Sequence, residues 1–103
     1  MSESKLHSLI QSHDVILFVS GGCPYCSDAV SILREKDIAH HVVEVSGEDR
    51  KALSKMTGMS SVPNVWVKKE FVGGCNDGPL PWMGIAKLAR NGELTKKLKS
   101  VNT

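Results

Sequence analysis

Three thiols, Cys23, Cys26 and Cys75, are the side chains best equipped for chemistry in this chain of 103 residues. An odd number of cysteines in so short a chain makes a poor disulfide framework and points to reactive, catalytic or metal-binding sulfur. Two of them form Cys23-Pro24-Tyr25-Cys26, just after Gly21-Gly22 and the apolar run Val15 to Val19. That run is bounded by polar residues and rich in β-branched side chains, as in a strand covered on both faces. Pro24 fits the first turn of a helix, where its missing N–H is no loss. Cys23 then falls at a helix N-terminus, where unpaired N–H groups and the positive end of the helix dipole stabilise a negative sulfur. The thiolate is the attacking species in disulfide exchange. Cys26, nearly a turn further on, can reach Cys23 but points inward, so Cys23 is the candidate nucleophile and Cys26 the resolving thiol.

A Cys-x-x-Cys pair is also half of a zinc site, with Cys75 and His40 or His41 as further ligands. Structural zinc wants a second tight ligand pair, however, and adjacent residues on a strand face opposite ways, so only one histidine could join. Thiol exchange is the better reading.

The elements that position this motif are legible from periodicity. Ser4 to Ser12 carries Leu6, Leu9 and Ile10 at helical spacing. A helix runs from Pro24 to about Lys36 and buries Ala29, Val30, Ile32 and Leu33. Ala39 to Val45 is a second strand, and Glu48 to Thr57 a helix with Leu53 and Met56 inward and Gly58 as its stop. Asn64 to Val67 and Glu70 to Val72 form a hairpin across Lys68-Lys69, with Trp66 in the core. A last helix carries Ile85, Leu88 and Ala89, Asn91-Gly92 ends it, and Leu94 and Leu98 mark a short tail helix. The first two strands, joined by a helix, are parallel and the last two antiparallel. The expectation is an α/β domain spanning residues 1–103, with a four-stranded mixed sheet (βαβ then ββα) and helices on both faces.

Cys-Pro-Tyr-Cys, followed by Ser61-Val62-Pro63 and by Gly73-Gly74-Cys75-Asn76-Asp77, resembles the dithiol glutaredoxins, over nearly the whole chain from about Leu6 to Leu98. The resemblance implies the thioredoxin-like fold and a glutathione-dependent thiol–disulfide oxidoreductase acting on protein–glutathione mixed disulfides and on low-molecular-weight or protein disulfides. Glutathione is then a co-substrate, with no tightly bound cofactor. The resemblance also implies a cis Pro63 facing the cysteines, with Ser61 and the Val62 backbone pairing with an extended cysteinyl substrate. Tyr25 shapes access to the sulfur. Gly74 permits close backbone approach, and Cys75, Asn76 and Asp77 open the last helix and hold the γ-glutamyl end of glutathione. Asp77 suits its ammonium group, or caps the helix. Cys75 is a semi-buried third cysteine not required for turnover. The alternative within the family is a dimer holding a [2Fe–2S] cluster through Cys23 and glutathione, which Pro24 disfavours.

Two features depart from the family pattern. Ser20 stands where a lysine usually pairs with the glycyl carboxylate of glutathione; Lys68, Lys69 or Arg50 are the candidates to supply that charge instead. The stretch Gly78-Pro79-Leu80-Pro81-Trp82-Met83 lengthens the connection after Asp77, and its prolines delay the last helix to about Gly84. Trp82 covers the sheet edge, or else walls the glutathione site or faces a partner.

Composition narrows the remaining classes. Apolar residues make up 41% and charged residues 23% of the chain, ordinary for a globular protein, and a net charge of +2 gives nucleic acid no footing. Glu3, Lys5 and Asp14 interrupt any secretion-type apolar stretch. The expectation is a cytoplasmic or organelle-matrix monomer whose partners are glutathione and disulfide-containing proteins.

Overall fold

A strand that is apolar on both faces needs a layer on each side, and the chain supplies them. In a computed structural model, which describes residues 1–99, helix α1 (Glu3–Ser12) leads to β1 (Val15–Val19), α2 (Pro24–Glu35), β2 (His41–Glu44) and α3 (Gly47–Thr57). The hairpin β3 (Asn64–Val67) and β4 (Glu70–Gly73) follows, then α4 (Ile85–Arg90) and α5 (Glu93–Lys99). The sheet order is β2-β1-β3-β4, with β1 parallel to β2 and the other neighbours antiparallel. This is the mixed four-stranded sheet that the element order implies.

Alternation along β1 divides the core in two. Val15 and Leu17 pack with Ala29 and Leu33 of α2 and with Ile85, Leu88 and Leu94. Ile16 and Phe18 pack with Leu6 and Ile10 of α1 and Leu53 of α3. The central strand, buried on both faces through Phe18, thus ends beneath the turn that carries Cys23.

The boundaries differ from expectation at β2, which spans His41–Glu44 rather than Ala39 to Val45. The chain leaves α2 through Asp37 at φ 57°, with Ile38 N–H donating to the Leu33 carbonyl at 2.9 Å. That turn consumes the residues before His41, so His40 precedes the strand. Trp66 is half-buried rather than enclosed: its Nε1–H donates to Asn64 Oδ1 at 2.8 Å and its ring tilts against Phe71. Lys68 and Lys69 both take positive φ, 51° and 70°, as a two-residue turn matched to strand twist demands.

Helix α3 starts with a reciprocal cap. Ser46 N–H donates to Asp49 Oδ2 at 2.9 Å and Asp49 N–H donates to Ser46 Oγ at 3.2 Å. The Met1 ammonium also pairs with Asp49 and, with the Ser46 N–H, holds its carboxyl below the usual range. Asp49→Ala is expected to cost about 1 kcal/mol in urea unfolding at neutral pH. A depressed carboxyl contributes stability above its unfolded-state pKa and loses it as pH falls through the folded value. The gap between variant and wild type should therefore close on acidification.

Candidate active site

Cys23 is the N-cap of α2 in extended conformation, with Pro24 as the first helical residue. Its Sγ accepts the Cys26 N–H at 3.2 Å, a contact that strengthens when the acceptor is charged. Its thiol also lies 3.7 Å from the Val62 carbonyl, across the active-site turn. The Val62–Pro63 peptide is cis. Cys26 is only 5% exposed, and its thiol is pushed up to about 12, first by burial and then by its contact with Cys23. A backbone contact at Ser20 and the charge of Arg50 act the other way. The two sulfurs are therefore unequal in the sense needed for sequential exchange: one partly exposed on a helix N-terminus, the other buried and held protonated.

Beside the pair lies a cleft of about 390 Å³. Tyr25, 57% exposed, stands on one side of it. Ser61, Val62 and Pro63 form a second wall, and Gly74, Cys75, Asn76 and Asp77 the third. The three segments thus meet in space although they are far apart along the chain. Gly74 lets the second and third walls approach closely: a Cβ there would lie 3.1 Å from the Pro63 carbonyl oxygen, tighter than an ordinary contact. Cys75 is buried, and its thiol is raised by that burial and by the charges of Asp28 and Cys23.

Cys75, Asn76 and Asp77 do not open a helix, contrary to expectation. Gly74 N–H donates to the Asp77 carbonyl at 2.7 Å, closing a turn, and α4 begins only at Ile85 behind the cap residue Gly84. Pro79 and Pro81 impose this, since neither can continue a helix from Asp77. The chain then returns to where it left: Ile85 N–H donates to the Gly74 carbonyl at 2.9 Å and Ala86 N–H to the Cys75 carbonyl at 2.8 Å. Trp82 does not line the cleft. It lies under Lys97 Nζ, 4.8 Å from the ring centroid, while Lys97 also pairs with Glu70 of β4 at 2.6 Å. Of its readings, cover for the sheet edge fits this placement.

The sequence model of the glutaredoxin family matches residues 15–72, from the first residue of β1 into β4. The chain belongs to the glutaredoxin family. It is 32% identical over 91 residues to glutaredoxin 1 of Rickettsia prowazekii, covering 84% of this chain and 88% of that one. The holo form of glutaredoxin C1 from Populus tremula x tremuloides superposes with a TM-score of 0.82 at 26% identity, over 94% of each chain. A buckwheat glutaredoxin–glutathione complex superposes with a TM-score of 0.82 at 25% identity, covering 94% of this chain and 86% of that one. The fold is therefore thioredoxin-like, and this glutaredoxin is a thiol–disulfide oxidoreductase.

Within that frame the other candidate residues sort by position. Lys68 is tied to Asp14 at 3.3 Å, and with Lys69 it turns the hairpin at the end of the sheet away from Cys23. Arg50 instead sits on α3 with Nε donating to the Ser60 carbonyl at 3.0 Å, next to the Ser61–Pro63 wall. His40 and His41 lie at the far end, where His41 pairs with Ile16, so they are not brought together with the cysteines. Among the described residues no cluster of three or more histidine, cysteine or acidic side chains is placed to hold a metal ion.

A larger cleft of about 570 Å³ lies on the other flank of Cys23 and is lined by both Cys23 and Cys26. Ser20, Ser27, Ser31 and Arg34 contribute to it. Sequence reasoning missed this surface. Its signal was present as helical spacing, since Ser27, Ser31 and Arg34 follow Cys23 at intervals of one turn.

Proposed function

We propose that this glutaredoxin uses glutathione to reduce protein–glutathione mixed disulfides, with Cys23 as nucleophile and Cys26 as the thiol that resolves protein disulfides. The cleft beside Cys23 carries this reading: about 390 Å³ suits a tripeptide thiol, with a backbone wall at Val62 and a turn with Asp77 at its end. The solved glutaredoxin–glutathione complex supports it. In this reading the Val62 backbone pairs with the cysteinyl unit and Tyr25 flanks the sulfur. Asp77 faces the γ-glutamyl ammonium, and backbone N–H groups at Asn76 and Asp77 face the adjacent carboxylate. Arg50 takes the charge role that Ser20 lacks, at the glycyl carboxylate.

Cys23 attacks the glutathionyl sulfur, the mixed disulfide breaks, and the protein thiolate leaves with the electron pair. A second glutathione then attacks the glutathionyl sulfur on Cys23, releasing oxidised glutathione. The proposal has the enzyme acting as a single-domain monomer in a glutathione-rich compartment such as the cytoplasm.

The test is steady-state reduction of a glutathionylated protein with glutathione or an uncharged monothiol as donor. Glutathione should be the better donor, and Arg50→Ala should raise its KM about fivefold, the worth of one partly solvated ion pair. It should leave kcat with the uncharged thiol little changed. Equal use of both donors by the wild type would overturn the glutathione reading.

A further inference from the structure

The two clefts flanking Cys23 differ in length, charge and access to sulfur. The smaller one ends at Asp77, is lined by neither Cys23 nor Cys26, and meets the Cys23 sulfur only through the Val62 carbonyl on its wall. The larger one is lined by both Cys23 and Cys26 and runs between α2 and the sheet edge at β2 to Arg34. Its wall on α2 carries the hydroxyls of Ser27 and Ser31, and Val30 and Val42 form its apolar middle. Val42 is 43% exposed and pairs with Leu17, two residues before the end of β1, so it stands partway down the groove from Cys23. Arg34 is exposed and makes no ion pair or side-chain hydrogen bond among the described residues. It is a free cation at the far end of a groove that starts on the reactive sulfur.

We infer that the Arg34 cleft is the docking groove for disulfide-containing protein substrates, and that it selects an extended segment with an acidic side chain on the carboxylate side of this charge, a short distance from the reacting cysteine. Eleven residues of helix separate Cys23 from Arg34, roughly 16 Å at about 1.5 Å per residue. Helical side chains lean toward the N-terminus, so the guanidinium reaches back several ångströms toward Cys23. An extended chain advances about 3.3 Å per residue, which places the matching carboxylate about three positions from the cysteine. An apolar side chain between them meets Val30 and Val42. The inference rests on the disulfide chemistry of Cys23 and Cys26 and not on glutathione.

The chemistry served is two-electron reduction. The Cys23 thiolate attacks one sulfur of the substrate disulfide, the substrate S–S bond breaks, and one substrate thiolate leaves with the electron pair. Cys26, its proton lost to solvent, then attacks Cys23 Sγ and expels the second thiolate. The two cysteines are oxidised as the substrate is reduced, and an external dithiol restores them.

The full-length protein is assayed with two peptides, each linked by a disulfide to the same small neutral thiol. They differ only in carrying Glu or Lys three positions from cysteine, and a small dithiol is the reductant. Wild type should favour the Glu peptide by about tenfold in kcat/KM at low ionic strength, through KM, with the preference shrinking in high salt. Arg34→Lys should keep the preference and Arg34→Glu should reverse it. A wild-type ratio near one, or a ratio unmoved by Arg34→Glu, would overturn the proposal. So would an Arg34→Glu variant whose peptide ratio is unmoved but whose KM for glutathione rises when glutathione replaces the dithiol in a parallel assay, which would make the groove a second glutathione site. Because the dithiol replaces glutathione, failure of the donor reading leaves this result intact.

Discussion

Replacing Cys23 by serine is expected to abolish turnover of every disulfide, while Cys26→Ser keeps reduction of glutathione mixed disulfides and loses reduction of protein disulfides. The difference follows from the inequality of the two sulfurs. Cys23 lies at the head of α2, with the Cys26 N–H on its sulfur, one cleft lined by it and a second behind the Val62 carbonyl beside it. No other described thiol has that exposure, since Cys26 and Cys75 are each 5% exposed. Removing Cys23 removes the only accessible thiol among the described residues, and residual activity should fall by at least about 10³, as for other covalent nucleophiles. In the proposed cycle Cys26 is needed only where no second glutathione does its work. With its thiol pushed up to about 12, chiefly by burial, few molecules hold a Cys26 thiolate at neutral pH. Burial remains when Cys23 is held in a mixed disulfide, so the attack of Cys26 on a trapped Cys23–protein disulfide should still be accelerating with pH at pH 8. Stopped-flow release of a labelled substrate thiol reads this directly. A plateau below pH 8 would show that Cys26 is freed from its burial once the mixed disulfide forms.

The second large effect is expected at Gly84, far from Cys23 in sequence. Its φ of 123° is open to glycine and strained for any side chain. A Cβ there would lie 2.6 Å from both the carbonyl carbon and oxygen of Asn76, which are backbone atoms with no rotamer to yield. Gly84→Ala should cost about 3 kcal/mol or more in urea unfolding. Whatever folds should show weakened glutathione use, because the displaced backbone is the Asn76–Asp77 wall of the cleft. Gly92→Ala is the control. It shares a positive φ, 82°, but its Cβ would meet nothing within 4 Å, so only the conformational cost of about 1 kcal/mol remains. Equal losses at the two glycines would show that φ alone matters and that the contact with Asn76 does not.

Local signals made most of the fold legible. Val15 to Val19 is buried through Phe18 and half-buried at Val19, Pro24 opens α2, and Gly58 closes α3 in the left-handed conformation at φ 81°. These are matters of period, cap and turn, which neighbouring residues decide among themselves. The shortened β2 escaped because the turn at Asp37 uses residues whose alternation alone looks strand-like. The non-helical Cys75–Asp77 turn escaped because it is held by Val72 and Gly74, which reach across to Gly84 and Ile85. The three motifs carried by family resemblance lie together around one cleft. The missing positive charge and the second cleft depended on which side of α2 and α3 each arginine faces, and periodicity along one helix leaves that open until the sheet is assembled.

The Pro79–Met83 segment has a further meaning as architecture. Its two ends nearly coincide: Gly84 lies against Asn76 and Asp77, and its N–H donates to the Val72 carbonyl at 2.9 Å. An excursion that leaves and rejoins the fold at one point is topologically detachable. Closing a loop there costs entropy that grows only with the logarithm of its length, so the segment can lengthen, shorten or change its chemistry while β4 and α4 keep their register. Selection can then vary this cover of the sheet edge without renegotiating the sheet beneath it.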